Sequence, residues 1–182
     1  EYLENALIIH DRFHVASHMG KALEQTRTAE QKNLPSGEKK VLKGMRGSLL
    51  RSVENRTEKD ILKLAQLEGQ NLKTEKVFMM KEILRELYEA EMSVTRAKLE
   101  FKAWIDMAKD QVISNLTRVA NTINNHVQNI CHYFHSRLTN SMSETKNSFI
   151  QELKSRARGF KNWERYRINI LFHFGKLNLD PQ

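Results

Sequence analysis

A mainly helical protein with one strand near its start is what this sequence predicts, and three observations predict it. Only 7 Gly and 2 Pro occur among 182 residues, too few for a many-turned all-β architecture. Apolar residues recur at helical spacing from Phe13 almost to the end of the chain. One short apolar run without that period, Ala6-Leu7-Ile8-Ile9, precedes them. Hydrophobic residues at 40% and charged residues at 29% describe a chain that folds around a core.

The elements follow in order. Residues 5–10 read as a buried strand ending at His10-Asp11. From Phe13 to about Arg27 the pattern turns helical, with Val15, His18, Met19, Ala22 and Leu23 on one face. A strand that ends in Asp and runs into a helix is an α/β element. Asn33-Leu34-Pro35-Ser36-Gly37 is the best turn signal in the chain and marks a boundary. From Val41 to about Phe134 the chain reads almost wholly helical. Leu49, Leu50 and Val53 come first, then a helix start at 55–57 where Thr57 caps a run through Leu62, Ala65 and Leu72. Val77, Met80, Lys81, Leu84, Leu87 and Tyr88 form the next stripe. Leu99, Phe101, Trp104, Ile105 and Ala108 form another, and Val112, Leu116, Val119, Ile123 and Val127 a third. These stripes are expected to pack on one another as a helical module. Near the end, Ser141 and Glu144 stand at capping-box spacing before a helix that buries Met142, Phe149, Ile150 and Leu153 and stops near Gly159. A last helix from about Asn162 carries Trp163, Tyr166, Ile170 and Leu171.

Several function classes drop out. The longest apolar run has four residues, against the roughly 20 that span a bilayer, so no membrane helix is expected. No secretory signal opens the chain, and the single cysteine, Cys131, fits a reducing compartment rather than a disulfide framework. There is no Gly-rich phosphate loop, no GxSxG and no Cys–His dyad in a sensible context. The formal charge is +8, and it is uneven: from Phe101 onward 12 basic residues face 6 acidic ones, a net of +6. A basic C-terminal end points to phosphate-bearing partners.

Four groups of residues carry candidate chemistry. Asp11 stands just past the carboxyl end of the predicted strand, where α/β proteins place working carboxylates; capping of the next helix is the alternative. Glu144 belongs to the capping box, yet it also lies with Asn147, Ser148 and Gln151 on a polar helix stripe that lines a cleft or meets water. His10, His14 and His18 recur every four residues, a spacing that suits a metal pair, although packing in the first helical turn explains them better and no HExxH pattern follows. His126, Cys131, His132 and His135 have no zinc-finger spacing and read as helix surface and core. Between Lys154 and Arg167, six basic residues (Lys154, Arg156, Arg158, Lys161, Arg165 and Arg167) face one acidic residue, with Phe160, Trp163 and Tyr166 interleaved. Arginine beside aromatic rings suits a nucleic-acid backbone, and this reading is favoured over a solvated basic face with its aromatics in the core.

Two stretches carry a family resemblance: Leu138-Thr139-Asn140-Ser141-Met142-Ser143-Glu144-Thr145-Lys146-Asn147, and Lys154-Ser155-Arg156-Ala157-Arg158-Gly159-Phe160-Lys161-Asn162. They resemble the end of a bacterial insertion-sequence transposase of the ISL-three type, which shows TNG-x-x-EG-x-N and then a basic stretch running into RGF-x-N. Asp11-Arg12-Phe13-His14-Val15 resembles that family's D-x-FH motif after a strand. Residues 42–50 and 81–88 are similar to parts of its helical insert. The likeness departs at Ser141 and Thr145, where the pattern has Gly, and at Gln151, where Lys is common.

The resemblance implies a partial ribonuclease H-like α/β core, one strand plus helices, interrupted by a large all-helical insertion. Residues 1–30 would hold the strand and helix of the second acid, 31–135 the insertion, and 136–182 the third-acid helix and the basic C-terminal helix. Asp11 and Glu144 would be catalytic and metal-binding members of a DDE triad that performs two-metal phosphoryl transfer with Mg²⁺, or Mn²⁺. Lys154, Arg156, Arg158, Lys161 and Arg165 would hold DNA, at transposon ends and target. The intact enzyme is expected to be a homo-oligomer in the bacterial cytoplasm. The family's first Asp lies on an earlier strand, upstream of residue 1. The chain is therefore expected to be a C-terminal portion, unable to cleave DNA alone. A non-enzymatic basic helical module that binds nucleic acid is the alternative.

Overall fold

The computed structural model describes residues 10–35 and 39–136, together with residues 148, 152, 165, 167 and 168. The predicted strand, save its last residue, lies outside the described residues. So do Glu144, Lys154, Arg156, Arg158 and Lys161. The chain divides into two compact units, residues 1–138 and 139–182. In the second unit, Ser148, Glu152, Arg165, Arg167 and Ile168 are exposed helical positions.

The first unit is built from eight α-helices and one short 3-10 helix (Val53–Asn55) among the described residues: α1 (Arg12–Asn33), α2 (Lys39–Leu42), α3 (Arg46–Leu50), α4 (Glu58–Leu67), α5 (Lys73–Glu89), α6 (Val94–Asp110), α7 (Ser114–Cys131) and α8 (Tyr133–Ser136). No strand occurs among the described residues. The four long helices close a ring in which α1 packs on α5, α5 on α6, α6 on α7 and α7 back on α1. Their facing stripes make the core. Val15, Met19 and Leu23 of α1 meet Val77 and Leu84 of α5, Phe101, Trp104 and Ile105 of α6, and Leu116 and Ile123 of α7, all nearly solvent-free. The buried Trp104 indole N–H donates to the Met80 carbonyl at 2.9 Å, so the largest core side chain leaves no donor unmet.

Helix ends explain most of the boundaries. Asp11 caps α1, and Thr57 with Asp60 forms a capping box at α4. The N-terminus of α5 has no cap of its own, because Leu72 occupies that position. Glu30 of α1 serves instead: its carboxylate accepts from the backbone N–H of Lys73 at 2.7 Å and of Thr74 at 2.8 Å, and from the Thr74 hydroxyl at 2.7 Å. A carboxylate at a helix N-terminus meets both the orphan N–H groups and the positive end of the dipole.

Five sequence expectations are corrected. The helix capped by Thr57 ends at Leu67 rather than reaching Leu72, because Gly69 and Asn71 adopt left-handed backbone at φ 77° and 54°. Its buried face is Asp60, Leu64 and Leu67, so Leu62 and Ala65 point outward on the opposite side of the wheel. Leu99 is 63% exposed, two positions and so about 200° from Ala97 and Phe101 on α6. His18 likewise falls at the edge of the α1 stripe and is exposed. Val112 is exposed in the α6–α7 turn rather than in the core, with φ 53°.

Candidate functional site

Asp11 lies where the chain enters the bundle. The His10 backbone N–H donates to the Asn129 carbonyl on α7 at 3.1 Å, which ties the entry to that helix. Asp11 then takes extended backbone (φ −63°, ψ 132°), and its Oδ1 accepts from the Phe13 N–H at 2.8 Å. Asp11 as a residue is only 6% exposed. Capping of α1, the plainer of the two sequence readings, is thus present in the structure.

Tyr88 sits in an aromatic cluster. Tyr88 packs edge-on against Phe101 at 5.2 Å and Tyr133 at 5.8 Å, and parallel to Phe134 at 6.3 Å. Burial pushes the Tyr88 phenol far up, the negative ends at Cys131 and Asp11 add to this, and Arg12 opposes it. Asp11 and Arg12 therefore act on the same ring. Burial also pushes the Cys131 thiol up to about 11, which leaves it an unreactive packing residue.

On the other side of the entry, the His10 ring stacks on His126 at 4.7 Å with 13° between the planes, and His14 meets it edge-on at 6.5 Å. Burial, and then the nearness of His126, His14 and His18, lower the His10 pKa, while Asp11 opposes the shift. Among the described residues no group of three His, Cys, Asp or Glu side chains is arranged to hold a metal ion. Asp11 is the right kind of hard-oxygen donor for Mg²⁺, but it is one carboxylate, and the other candidate, Glu144, lies outside the described residues.

Residues of α1 and α5, with Leu50, Ser52 and Glu54 from the segment between α3 and α4, line a cavity of about 400 Å³ to which Glu54 and Glu89 bring negative charge. Ala16, Met19, Leu84 and Tyr88 give it apolar walls, and Arg12, Lys81 and Arg85 bring positive charge to it. Lys81 and Arg85 are held by acidic neighbours. Lys81 Nζ donates to Glu82 at 2.7 Å, and Arg85 pairs with Glu89 at 2.5 Å. Arg56 also donates to Glu82 at 2.7 Å, and Arg56 and Lys81 both lie over the Phe78 ring, at 5.3 and 5.4 Å. Burial pushes the Glu82 carboxyl up, but Lys81 and Arg56 more than offset it, so its pKa ends below the usual value. Arg12, by contrast, is exposed and makes no salt bridge among the described residues.

Sequence reasoning placed Asp11 at a helix start and missed both the cavity and the role of His126. The cavity had a signal: Lys81, Leu84, Arg85 and Tyr88 share one face of α5, as Arg12, Ala16 and Gly20 share one face of α1. Nothing in the spacing said that the two faces oppose each other. Of the expected DNA contacts, only Arg165 lies among the described residues, on an exposed helical position.

Comparison with known proteins supplies the family. The profile of the ISL3-type family, described as transposase, matches residues 1–170, and this chain belongs to that family. The chain is similar to the transposase of insertion sequence element IS1001 from Bordetella parapertussis, with 23% identity over 168 residues. That alignment covers 91% of this chain and 41% of the relative, so the chain spans about two-fifths of the length of the relative. No solved structure matches. No helix among the described residues is long and apolar enough to cross a membrane.

Proposed function

We propose that this chain is the C-terminal catalytic portion of a DNA transposase, supplying the second and third acids of its active centre. The observation that carries the reading is the match to the transposase family over residues 1–170, which includes both candidate acids. Asp11 and Glu144 are the carboxylates assigned to hold divalent metal, Mg²⁺ or Mn²⁺. The ion would supply Lewis-acid stabilisation of a phosphodiester under attack. Asp11 supports this reading by its position: it is nearly solvent-free and held at the N-terminus of α1, which fixes a ligand before substrate arrives.

In this reading the strand before Asp11 belongs to a ribonuclease H-like core. Residues 1–30 and 136–182 are the two parts of that core present here, and 31–135 are the helical insertion. Lys154, Arg156, Arg158, Lys161 and Arg165 hold the DNA backbone at transposon ends and target. The remaining carboxylate comes from sequence upstream of residue 1, so the 182-residue chain alone does not cut DNA. Assembly into a homo-oligomer and a site of action in the bacterial cytoplasm go with the same reading.

A second reading is favoured by the hydrogen bond from Phe13 to Asp11: a non-enzymatic, basic helical module in which Asp11 only caps α1. Asn caps helices as well as Asp but does not bring a negative oxygen ligand. Asp11→Asn therefore separates the two. Purified alone, the chain is expected to leave supercoiled plasmid intact in Mg²⁺ or Mn²⁺. Joined to the in-frame sequence that precedes it, the protein is expected to nick, and Asp11→Asn or Glu144→Gln to slow nicking at least ~100-fold with melting temperature unchanged. Nicking that Asp11→Asn leaves untouched would overturn the catalytic reading.

A further inference from the structure

The charge excess of the chain has a second centre, in the first unit. From Lys32 to Lys63 nine basic residues face four acidic ones, a net of +5, while the rest of the first hundred residues is net −3. Packing gathers these cations, since α2 lies against α1 and α4, and α3 against α4. Lys40 and Lys43 are exposed on α2 and the turn after it, Arg46 at the start of α3, and Lys59 and Lys63 one turn apart on α4. Lys63 Nζ donates to the Gly44 carbonyl at 3.2 Å, which brings the cation of α4 onto the turn between Lys43 and Arg46. The acids nearby are engaged elsewhere. Asp60 is taken by Ser48, Thr57 and Arg51, Glu24 pairs with Arg27 at 2.7 Å, and Glu30 caps α5. Glu54 lines the α1–α5 cavity, and Glu58 is exposed about 100° round α4 from Lys59. Arg46 reaches Glu24 only at 3.8 Å. Lys40, Lys43, Lys59 and Lys63 make no ion pair among the described residues.

We infer that this corner of α2, α3 and α4 is a surface for the backbone of duplex DNA, separate in the chain from the basic stretch 154–167. The inference shares with the proposed function only the partner, DNA, and needs neither Asp11 nor Glu144. Like charges three or four residues apart on one helix face repel, so the spacing of Lys40 with Lys43 and of Lys59 with Lys63 costs stability that a polyanion offsets. Cations spread over three elements exceed what one phosphate group can meet, whereas a duplex carries a charge every ~1.7 Å along its axis. Gly44, at φ 72°, and Gly47 are exposed between the cations and leave room for a phosphate backbone to approach. Lysine, a flexible point charge, suits phosphate contact rather than base readout. An anionic membrane is the other polyanion for such a surface. The exposed large apolar side chains of α4, however, are the adjacent Ile61 and Leu62, which do not make the continuous apolar face of a membrane-surface helix. Membership of a transposase family also favours the duplex.

Salt dependence counts such contacts, and location can be separated from net charge. Binding of the 182-residue chain to a duplex of arbitrary sequence is measured against salt for two triple variants of equal charge loss. One carries Lys40→Gln, Lys43→Gln and Lys63→Gln. The other carries Lys98→Gln, Lys102→Gln and Lys109→Gln on α6, which packs on α5 and α7. The first is expected to flatten the slope of log affinity against log salt by about 2–3, and the second by less than about 0.5. Lys43→Gln alone, at an exposed turn position, is expected to remove about 1 and to keep the melting temperature. Equal changes in the two triple variants would reduce the effect to net charge and overturn the inference, as would a first variant with the parent slope. Binding to phosphatidylserine-containing vesicles that needs the same three lysines, with the DNA slope unchanged, would assign the surface to a membrane and also overturn it. The two readings fail separately. Nicking that ignores Asp11→Asn, with the slope lost in the first variant, would sink the catalytic reading and keep this surface. Asp11-dependent nicking with equal slopes would do the reverse.

Discussion

At the scale of single residues, Asp60 carries more of the local structure than any acid the sequence singled out. Its carboxylate accepts from the Ser48 hydroxyl at 2.7 Å, from the Thr57 N–H at 2.9 Å and from the Thr57 hydroxyl at 2.7 Å, and it pairs with Arg51. The Ser48 bond first, then the two bonds from Thr57, hold its pKa well below the usual carboxylate range. A folded-state pKa below the unfolded value means that the contribution is complete above the unfolded pKa, about 3.9, and is lost as the pH falls through the folded value. Melting temperature is therefore expected to fall as the pH drops below about 4, and Asp60→Asn to flatten part of that fall. Equal acid slopes in the two proteins would show that Asp60 is not the group responsible. The Thr57 cap was legible because capping is local: Thr before a helical run is a signal within four residues. Ser48 and Arg51 were not legible as its partners, since a turn and a different helix separate them from Asp60.

At the scale of elements, the most consequential contact is the one by which α1 caps α5. Glu30 meets two backbone N–H groups and a hydroxyl at the start of a helix that has no cap of its own. Glu30→Ala is expected to cost about 1–2 kcal/mol in chemical denaturation, as lost helix caps do. A loss below about 0.3 kcal/mol would mean that water replaces the carboxylate without penalty. Helices with a continuous apolar stripe were readable from the sequence: Val77, Met80, Leu84 and Tyr88 on α5, and Phe101, Trp104, Ile105 and Ala108 on α6, are buried as their spacing requires. Leu62 and Leu99 were misread for one reason. Residue type was allowed to outrank position, and a leucine on the wrong side of the wheel stays outside whatever its hydrophobicity. The stack of His10 on His126 joins positions 116 apart in the sequence (126 − 10), and no periodicity reports such a pairing.

At the scale of the whole molecule, the charge asymmetry remains the clearest functional signal that composition gives. The half-chain from Phe101 holds a net +6, most of it between Lys154 and Arg167. If that stretch binds the DNA backbone, replacing Arg156 and Arg158 together by Ala is expected to weaken binding to all sequences alike and to lower the slope of log affinity against log salt by about 2. An unchanged slope would return the stretch to solvated surface. The family was legible at this scale because short motifs at the two ends of the chain, Asp11-Arg12-Phe13-His14 and Arg158-Gly159-Phe160-Lys161-Asn162, keep their order and character across the long helical region between them. How that region folds was legible only as stripes, and which stripes face each other was settled by packing.

The central claim is that Asp11 and Glu144 are two members of a set whose third carboxylate is encoded upstream of residue 1. The most direct test is to read the coding sequence that precedes Glu1. The account predicts an in-frame apolar strand pattern ending in Asp, behind a DNA-binding region, in keeping with a relative of which this chain spans 41%. A stop codon there, or a sequence with no such strand and Asp, would contradict it.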